Sequence, residues 1–254
     1  MYDIVIIGAG IAGMTAAIYA RRAGKSVLVL ETGVCGGQIV SALEVWNYPG
    51  FAKISGAKLT GEISHQMNNL GAELKYEEVL AVAKSDGGGF EVKTDEGEYA
   101  CGAIIIATGT EPRKLSEKQA KDAGERPISH CATCDGALYK GKPVVVVGSG
   151  NTAKHEIKYL EGIAAKVYHI HHDEPIPKDA VAVFVAIGRV PATTVFKDLV
   201  DLDVDGYVVA GENCRTSCPG VFVAGDCRTK DVRQLVTAVA DGAVAAGAAL
   251  RYLG

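Results

Sequence analysis

YDIVIIGAGIAGMTAAIYARRAGKSVLVLE, residues 2–31, is the stretch that decides the fold. DIVII (3–7) is apolar at four consecutive positions, as suits a short strand buried on both faces. GAGIAG follows at 8–13, a helical stretch runs to about Arg22, and Gly24 breaks it. A second strand, SVLVL (26–30), ends at Glu31. Strand, glycine loop, helix, strand and terminal acid make a full βαβ dinucleotide fingerprint. Gly8 permits the tight turn, Gly10 lets the backbone approach a pyrophosphate, and Gly13 lets helix and strand pack closely. The loop residues Gly8, Gly10, Ile11, Ala12 and Gly13 are therefore cofactor-binding candidates, with the helix N-terminus attracting the phosphates. Glu31 lies 23 residues after Gly8, where a carboxylate accepts from a ribose 2′-OH and repels a 2′-phosphate. The site suits FAD or NAD, not NADP. A structural glycine turn is the bland alternative, and the ordered context of strand, helix and acid weighs against it.

KPVVVVGSGNTAKHEIKYL (142–160) repeats the pattern with Ala153 in place of the third glycine. A strand KVYHI (166–170) follows. Two nucleotide-type βα units in one chain suggest a duplicated domain. The second unit is cut short: between KVYHI and the next strand, VAVFVAIG (181–188), lie only about ten residues, with Pro175 and Pro177 among them. A helical crossover needs at least about 10–12 residues free of such breakers. This domain is expected to have three strands and one helix. The end of its second strand reads His171, His172, Asp173, Glu174, where a 2′-phosphate needs arginine or lysine. The unit reads as a scaffold that once bound nucleotide, or as a working nicotinamide site. The expected fold class is α/β, with two Rossmann-like, three-layer dinucleotide-binding-type domains, the second truncated.

The chain has 254 residues and a formal charge of −4, which argues against a nucleic-acid footprint. Apolar runs such as VAVFVAIG are too short to span a bilayer. The sequence enters a strand at once, without the pattern of a signal peptide, so the expectation is a soluble cytoplasmic protein with no membrane partner. Its seven cysteines are odd in number and irregular in spacing, unlike a secreted disulfide framework.

HCATCDG (130–136) holds the chemistry. A CxxC pair is a redox disulfide, half of a metal site, or a staple; a reducing compartment disfavours the staple. A zinc site needs a second pair. Cys214 and Cys218 are the nearest spacing on offer, and no metal is expected. His169 and His171 share a strand face and read as a solvated strand end. Cys35, Cys101 and Cys227 read as small apolar residues, Cys35 lying beside a GGQ loop. A CxxC at a helix N-terminus near His130 should favour the thiolate that thiol exchange requires. Gly242 and Gly247, in the alanine-rich last helix, read as close-packing positions against the domain or across a dimer. DGGGF (86–90) reads as a hairpin tip in a meander over roughly 74–100.

Taken together and in order, GAGIAG (8–13), GGQ (36–38), NYPGF (47–51), ATGTEPR (107–113), HCATCDG (130–136), GSGNTA (148–153), AIGRVP (186–191), PGVFVAGDCR (219–228) and RQLVTAVADGAVAA (233–246) resemble the low-molecular-weight thioredoxin reductases over nearly the whole chain. The resemblance implies a flavoprotein passing electrons from FAD to the CxxC disulfide and on to thioredoxin. It implies an FAD domain made of residues 1–112 and 190–254, and a truncated NADPH-type domain, 113–189, carrying the disulfide. It places Gly37, Gln38, Asn47, Ala107, Thr108 and Gly109 around the flavin. Gly225 and Asp226 fall at the ribityl chain, and Arg233, Gln234 and Leu235 beside the ring, where a helix N-terminus stabilises reduced flavin. Cys134 becomes the flavin-side sulfur, Cys131 the one that meets the partner, and Asp135 the acid that protonates the leaving sulfur. It also implies a homodimer.

In one respect the sequence departs from NADPH-dependent members, which carry a longer central domain and a basic HRR-type motif after its second strand. HIHHDE stands there instead. The departure resembles the ferredoxin-linked flavin thioredoxin reductases, and makes ferredoxin or flavodoxin the expected donor. Residues 113–189 hold 12 Lys and Arg against 9 Asp and Glu, a basic excess suited to an acidic carrier or to ordinary surface scatter. The alternatives are an NAD(P)H-dependent reductase, a flavin-dependent dithiol oxidase, and a non-catalytic protein that kept the fold.

Overall fold

The structure is a computed structural model that describes residues 1–171 and 173–254. The chain divides into two compact units, Met1–Thr110 with Pro191–Gly254, and Glu111–Val190. The first opens with β1 (Tyr2–Ile7), α1 (Ile11–Arg22) and β2 (Val27–Glu31). α2 (Gly56–Asn69) starts at Ser55, whose hydroxyl accepts from the Lys58 amide and satisfies one helix-end N–H. β3 (Glu73–Tyr76) is followed by β4 (Val79–Lys84), β5 (Phe90–Thr94) and β6 (Glu98–Ile106), an antiparallel meander whose first turn, residues 85–89, contains Gly88 and Gly89 at positive φ. β7 (Thr110–Pro112) leads out of this unit.

The second unit holds α3 (Glu117–Ala123), β8 (Ile128–Ser129), α4 (Ala132–Asp135), β9 (Pro143–Val147), α5 (Asn151–Glu161), β10 (Lys166–Ile170) and β11 (Val183–Val185). β12 (Arg189–Pro191) leads back, and β13 (Val221–Val223) and α6 (Leu235–Leu253) complete the first unit.

The first unit's sheet runs β3-β2-β1-β6-β5-β4, with β13 also on β6. β1 pairs parallel with β2 and β6, Ile4 lying opposite Val27 and Ala103. That register puts Ile4, Ile6, Val27, Val29, Ala103 and Ile105 in one buried cluster with the apolar faces of α1 and α6. Val5, Ile7, Leu28, Leu30, Ile104 and Ile106 fall in another, covered by Phe196, Val200 and Val208. Both faces of β1 are thus dry, which is why DIVII shows a run rather than an alternation. α6 is long and apolar enough to cross a membrane by length and composition, but its Ala238, Ala245, Ala246, Ala248 and Ala249 are buried in the first of these clusters. Gly242 permits its approach to α1: a Cβ there would stand 2.3 Å from the Ala12 carbonyl oxygen. Gly247 has no such role within the chain, since its Cβ would meet only the end of Arg251, at 3.5 Å.

The second unit's sheet runs β10-β9-β11-β8, every pair parallel. It therefore has four strands and more than one helix, not the three strands and single helix expected. The extra strand is two residues long, Ile128 and Ser129 lying opposite Val183 and Phe184, too short to leave a periodic signal. α3 is capped by Ser116, whose hydroxyl accepts from the Gln119 amide. Between β10 and β11 no helix occurs among the described residues. His172, part of the HHDE stretch, lies outside the described residues.

Candidate functional site

β1 ends at Ile7 and the chain turns at Gly8, with φ at +106°. A Cβ on Gly8 would stand 2.4 Å from the Ala107 carbonyl oxygen, and one on Gly13 only 1.9 Å from the Gly8 carbonyl oxygen. Neither position admits another residue. Gly10 is the opposite case: nothing lies within 4 Å of where its Cβ would be. It precedes α1, whose N-terminus has no side-chain cap. The first amides of that helix, on Ile11, Ala12 and Gly13, have no intrahelical acceptor. An open floor and uncapped amides are what a pyrophosphate needs.

The remaining candidates of this unit gather at the same strand ends. Glu31, at the end of β2, accepts from the Ala9 amide at 2.7 Å and from the Gly33 amide at 2.8 Å. The GGQ segment runs beside the loop: the Gly36 amide donates to the Ala9 carbonyl, and a Cβ on Gly37 would be 3.3 Å from the Gly10 Cα. Gln38 is exposed in the short 3-10 turn that follows. Ala107 continues β6 onto Gly8, its amide bonding the Ile7 carbonyl, and Thr108 and Gly109 follow. After β13, Gly225 turns at φ +82°, with its Cβ position 3.0 Å from the Ala12 side chain. Its amide donates to Asp241 Oδ2. Arg233 donates to the carbonyls of Asp226, Arg228 and Lys230, and its guanidinium lies 4.2 Å over the Tyr207 ring. Gln234 precedes Leu235, the first residue of α6, and forms a capping box with Thr237. Asn47 Nδ2 donates to Gln234 Oε1 at 3.1 Å, joining positions 187 apart in the chain. These residues fit FAD: a bare glycine floor, uncapped amides and a carboxylate at the end of β2 form one cradle.

Sequence reasoning missed the charge cluster beneath it. Arg228 is only 2 % exposed and bonds both Asp241 oxygens, at 3.0 and 2.9 Å. Lys230 Nζ bonds Asp241 Oδ2 at 2.7 Å. An aspartate inside an alanine-rich helix was the available signal.

In the second unit Cys131 and Cys134 form a disulfide, their Cα atoms 5.3 Å apart. Cys131 caps the one-turn α4, and its carbonyl accepts from the amides of Cys134 and Asp135. The buried Ser129 donates its hydroxyl to Asp135 Oδ2 at 2.6 Å and accepts from the Cys131 amide at 3.1 Å, so one side chain fixes both the acid and the first cysteine. Nothing in the sequence singles Ser129 out. Desolvation, with Arg189 adding to it and a hydrogen bond with the Val185 backbone opposing, holds the His130 pKa below the ordinary histidine value. Glu156 of α5 reaches the same turn, Oε1 accepting from the Ala132 amide at 3.4 Å.

The second glycine loop is also built, Gly148 turning at φ +145° with its Cβ position 2.3 Å from the Ala186 carbonyl oxygen. His169 Nε2 bonds the Gly148 carbonyl at 2.7 Å, and its ring packs 5.3 Å from that of His171. Past β10, Glu174 accepts from the His171 amide, while the fully buried Gln119 donates to the carbonyls of His171 and Glu174. The described residues of that turn are His171, Asp173 and Glu174, none of them an arginine or lysine. Cys214 and Cys218 lie in different core clusters, and no group of three or more metal-ligating side chains occurs among the described residues. Cys35 is half-buried, its thiol against Met14 and Ser64.

Comparison with known proteins places this geometry. The family model described as pyridine nucleotide-disulphide oxidoreductase matches residues 2–180 and 174–242. The thioredoxin reductase of Listeria monocytogenes is 36 % identical over 302 aligned positions, covering 100 % of this chain and 94 % of the relative. That of Bacillus subtilis is 34 % identical, covering 100 % and 95 %. Among solved structures, the thioredoxin reductase of Streptococcus pyogenes matches with a TM-score of 0.91 at 32 % identity, covering 100 % of this chain and 98 % of that one. The Listeria alignment spans 302 positions against the 254 residues here, so about 48 of its positions have no counterpart in this chain.

Proposed function

Because the chain belongs to the pyridine nucleotide-disulphide oxidoreductases, and among them to the FAD-binding low-molecular-weight thioredoxin reductases, we propose that it reduces thioredoxin through Cys131–Cys134 with electrons from a ferredoxin-type carrier rather than from NADPH. We read it as a cytoplasmic homodimer. One observation carries the choice of donor. The second unit is only Glu111–Val190, and the turn after its β10 offers carboxylates where a 2′-phosphate needs a cation.

FAD, when bound, supplies a two-electron store between donor and disulfide. The chain's own residues do the rest. The Gly8–Gly13 loop and the α1 amides hold the pyrophosphate, and Glu31 orients the adenosine ribose. Asp226 holds the ribityl chain. Gly37, Asn47, Thr108, Arg233, Gln234 and Leu235 fix the ring. Asp135, steadied by Ser129, gives a proton to the departing sulfur, Cys134 takes the flavin side, and Cys131 meets the partner's disulfide.

A second reading is favoured by the family description, which names a pyridine nucleotide, and by the intact Gly148–Gly150 loop: an NAD(P)H-dependent reductase with a shortened domain. Anaerobic bleaching of the flavin by NADPH, NADH and reduced ferredoxin, side by side, separates the two. Ferredoxin is expected to bleach it at least about a hundredfold faster, about 2.7 kcal/mol in barrier. NADPH acting as fast as ferredoxin would overturn the donor assignment. Peroxide release on adding a small dithiol would instead point to a dithiol oxidase.

A further inference from the structure

We infer that Glu156 is a positioning residue of the redox pair, a carboxyl set under the Cys131–Cys134 turn that takes up a proton when the disulfide is reduced. The inference rests on the reading of that pair as redox-active. Glu156 sits on the buried stripe of α5, between Ala153 on one turn and Ile157 and Leu160 on the next. Those three side chains share a core cluster with Ala132, the residue that follows Cys131. The carboxyl is therefore pressed against the redox turn by packing, not reached by a flexible arm. Oε1 accepts from the Ala132 amide at a long 3.4 Å, and Oε2 is buried without a hydrogen-bond partner. A charged carboxylate is poorly served by one long bond. Desolvation accordingly raises its pKa, the Ala132 amide opposing only in part.

The neighbouring titratable groups do not relieve it. The segment carrying the cysteines offers His130 and Lys140, both exposed, Asp135, bonded by Ser129, and Tyr139, whose own pKa desolvation raises, with the charge of Asp135 adding to it. β9 has no titratable side chain, and β10 carries Lys166, Tyr168 and His169. Lys166 donates to Tyr168, Tyr168 to Asp179, and His169 bonds the Gly148 carbonyl. On α5 itself, Lys154, His155, Lys158, Tyr159 and Glu161 are exposed. None of these charges contributes to the Glu156 shift.

Reduction breaks the S–S bond with two electrons arriving by way of the flavin. One sulfur takes a proton from Asp135, which solvent reprotonates, and becomes a thiol; the other remains a thiolate. The new negative charge arises on the turn whose Ala132 amide Glu156 holds. A proton from solvent on that carboxylate removes the repulsion and leaves the Ala132 amide to the sulfur side of the turn. Reoxidation by the partner's disulfide releases the proton again. Asp135 and Glu156 thus divide the work: the first delivers a proton to sulfur, the second keeps the ground beneath the thiolate uncharged.

The test is the alkylation rate of Cys131 by iodoacetamide in FAD-loaded protein reduced with dithiothreitol, followed by peptide mass spectrometry from about pH 5 to 9, a range bracketing the thiol and carboxyl pKa values. Wild type should rise over a broader pH span than one titrating group allows, because thiol and carboxyl titrate together. Glu156→Gln should give a single-group profile with its midpoint lower by about 1 pH unit, and Glu156→Asp should restore breadth. Superposable wild-type and Gln profiles, or a midpoint that rises, would overturn the inference. Should the Gln variant fold poorly, the infrared difference between disulfide and dithiol wild type decides: a protonated-carboxyl band must grow on reduction, and its absence refutes the idea. A failed redox reading shows differently, as Cys131 that dithiothreitol exposes to iodoacetamide but reduced flavin does not.

Discussion

Replacing Gly242 with alanine tests how the cofactor loop is supported from below. The new methyl would stand 2.3 Å from the Ala12 carbonyl oxygen, 3.0 Å from Thr15 Cβ and 3.1 Å from the Ala16 nitrogen. Two of these atoms are backbone in α1 and cannot rotate away, so the helices must part. Overpacking of this kind costs about 1–3 kcal/mol, against a helix-propensity gain of about 1 kcal/mol for Gly→Ala. A 2.3 Å approach to backbone belongs at the upper end of that cost, so the net loss of about 2 kcal/mol corresponds to a fall in melting temperature of about 4–8 °C in a unit of this size. Ala12 lies in the first turn of α1, so the same displacement should weaken FAD binding several-fold. Gly247→Ala is the internal control. Its methyl meets only the end of Arg251, at 3.5 Å, and the propensity gain of about 1 kcal/mol stands alone, raising the melting temperature by about 2–4 °C. Thermal melts with and without added FAD read both. A Gly242→Ala protein as stable as wild type, or a destabilised Gly247→Ala protein, would refute the packing argument.

Asp241→Asn removes the countercharge that Arg228 and Lys230 share in the core, and should cost about 3–5 kcal/mol in denaturant titrations; a loss under about 1 kcal/mol would show the cluster to be hydrated. Glu31→Ala strands the Ala9 and Gly33 amides, and flavin fluorescence titration should show FAD affinity falling about 10- to 100-fold. Cys134→Ser leaves one thiol where two are required, so thioredoxin reduction followed by insulin turbidity should drop to background. Burial pushes the Cys101 and Cys214 thiols up to about 12 and Cys227 to about 11. Native oxidised protein at pH 8 should therefore alkylate at Cys35 far faster than at Cys101, Cys214 or Cys227. These three thiols are neutral in the folded state, whereas the unfolded chain ionises them from about pH 8.5. Their stabilising effect is complete below that pH and lost as it rises toward 12, so the urea midpoint should decline across that window, and a flat midpoint would contradict their burial.

The first βαβ unit was legible because each glycine there answers a steric demand that sequence spacing encodes: turn at Gly8, bare floor at Gly10, contact at Gly13. The second unit was legible only in part. β8 has two residues and no periodicity, and α3 is seven residues long with a single buried alanine, although Ser116 and Gln119 stand at capping-box spacing. The link between Asn47 and Gln234 joins opposite regions of the chain and leaves no local trace. Ser129 looks like any loop serine until β8 and α4 bring it to Asp135. Glu156 was readable in principle: a carboxylate at the i+3 position after Ala153, with Ile157 and Leu160 completing the stripe, interrupts an apolar face.

The first unit is woven from both ends of the chain, with α6 lying against α1. During synthesis the helix that backs the glycine loop emerges last, after the intervening segment Glu111–Val190 has already left the ribosome as one uninterrupted piece. The cysteine-bearing segment thus has a head start in reaching its native contacts, while the opening strands must wait with β1, apolar on both faces, uncovered. Nascent chains halted before Leu235 should seek chaperones and hold no flavin.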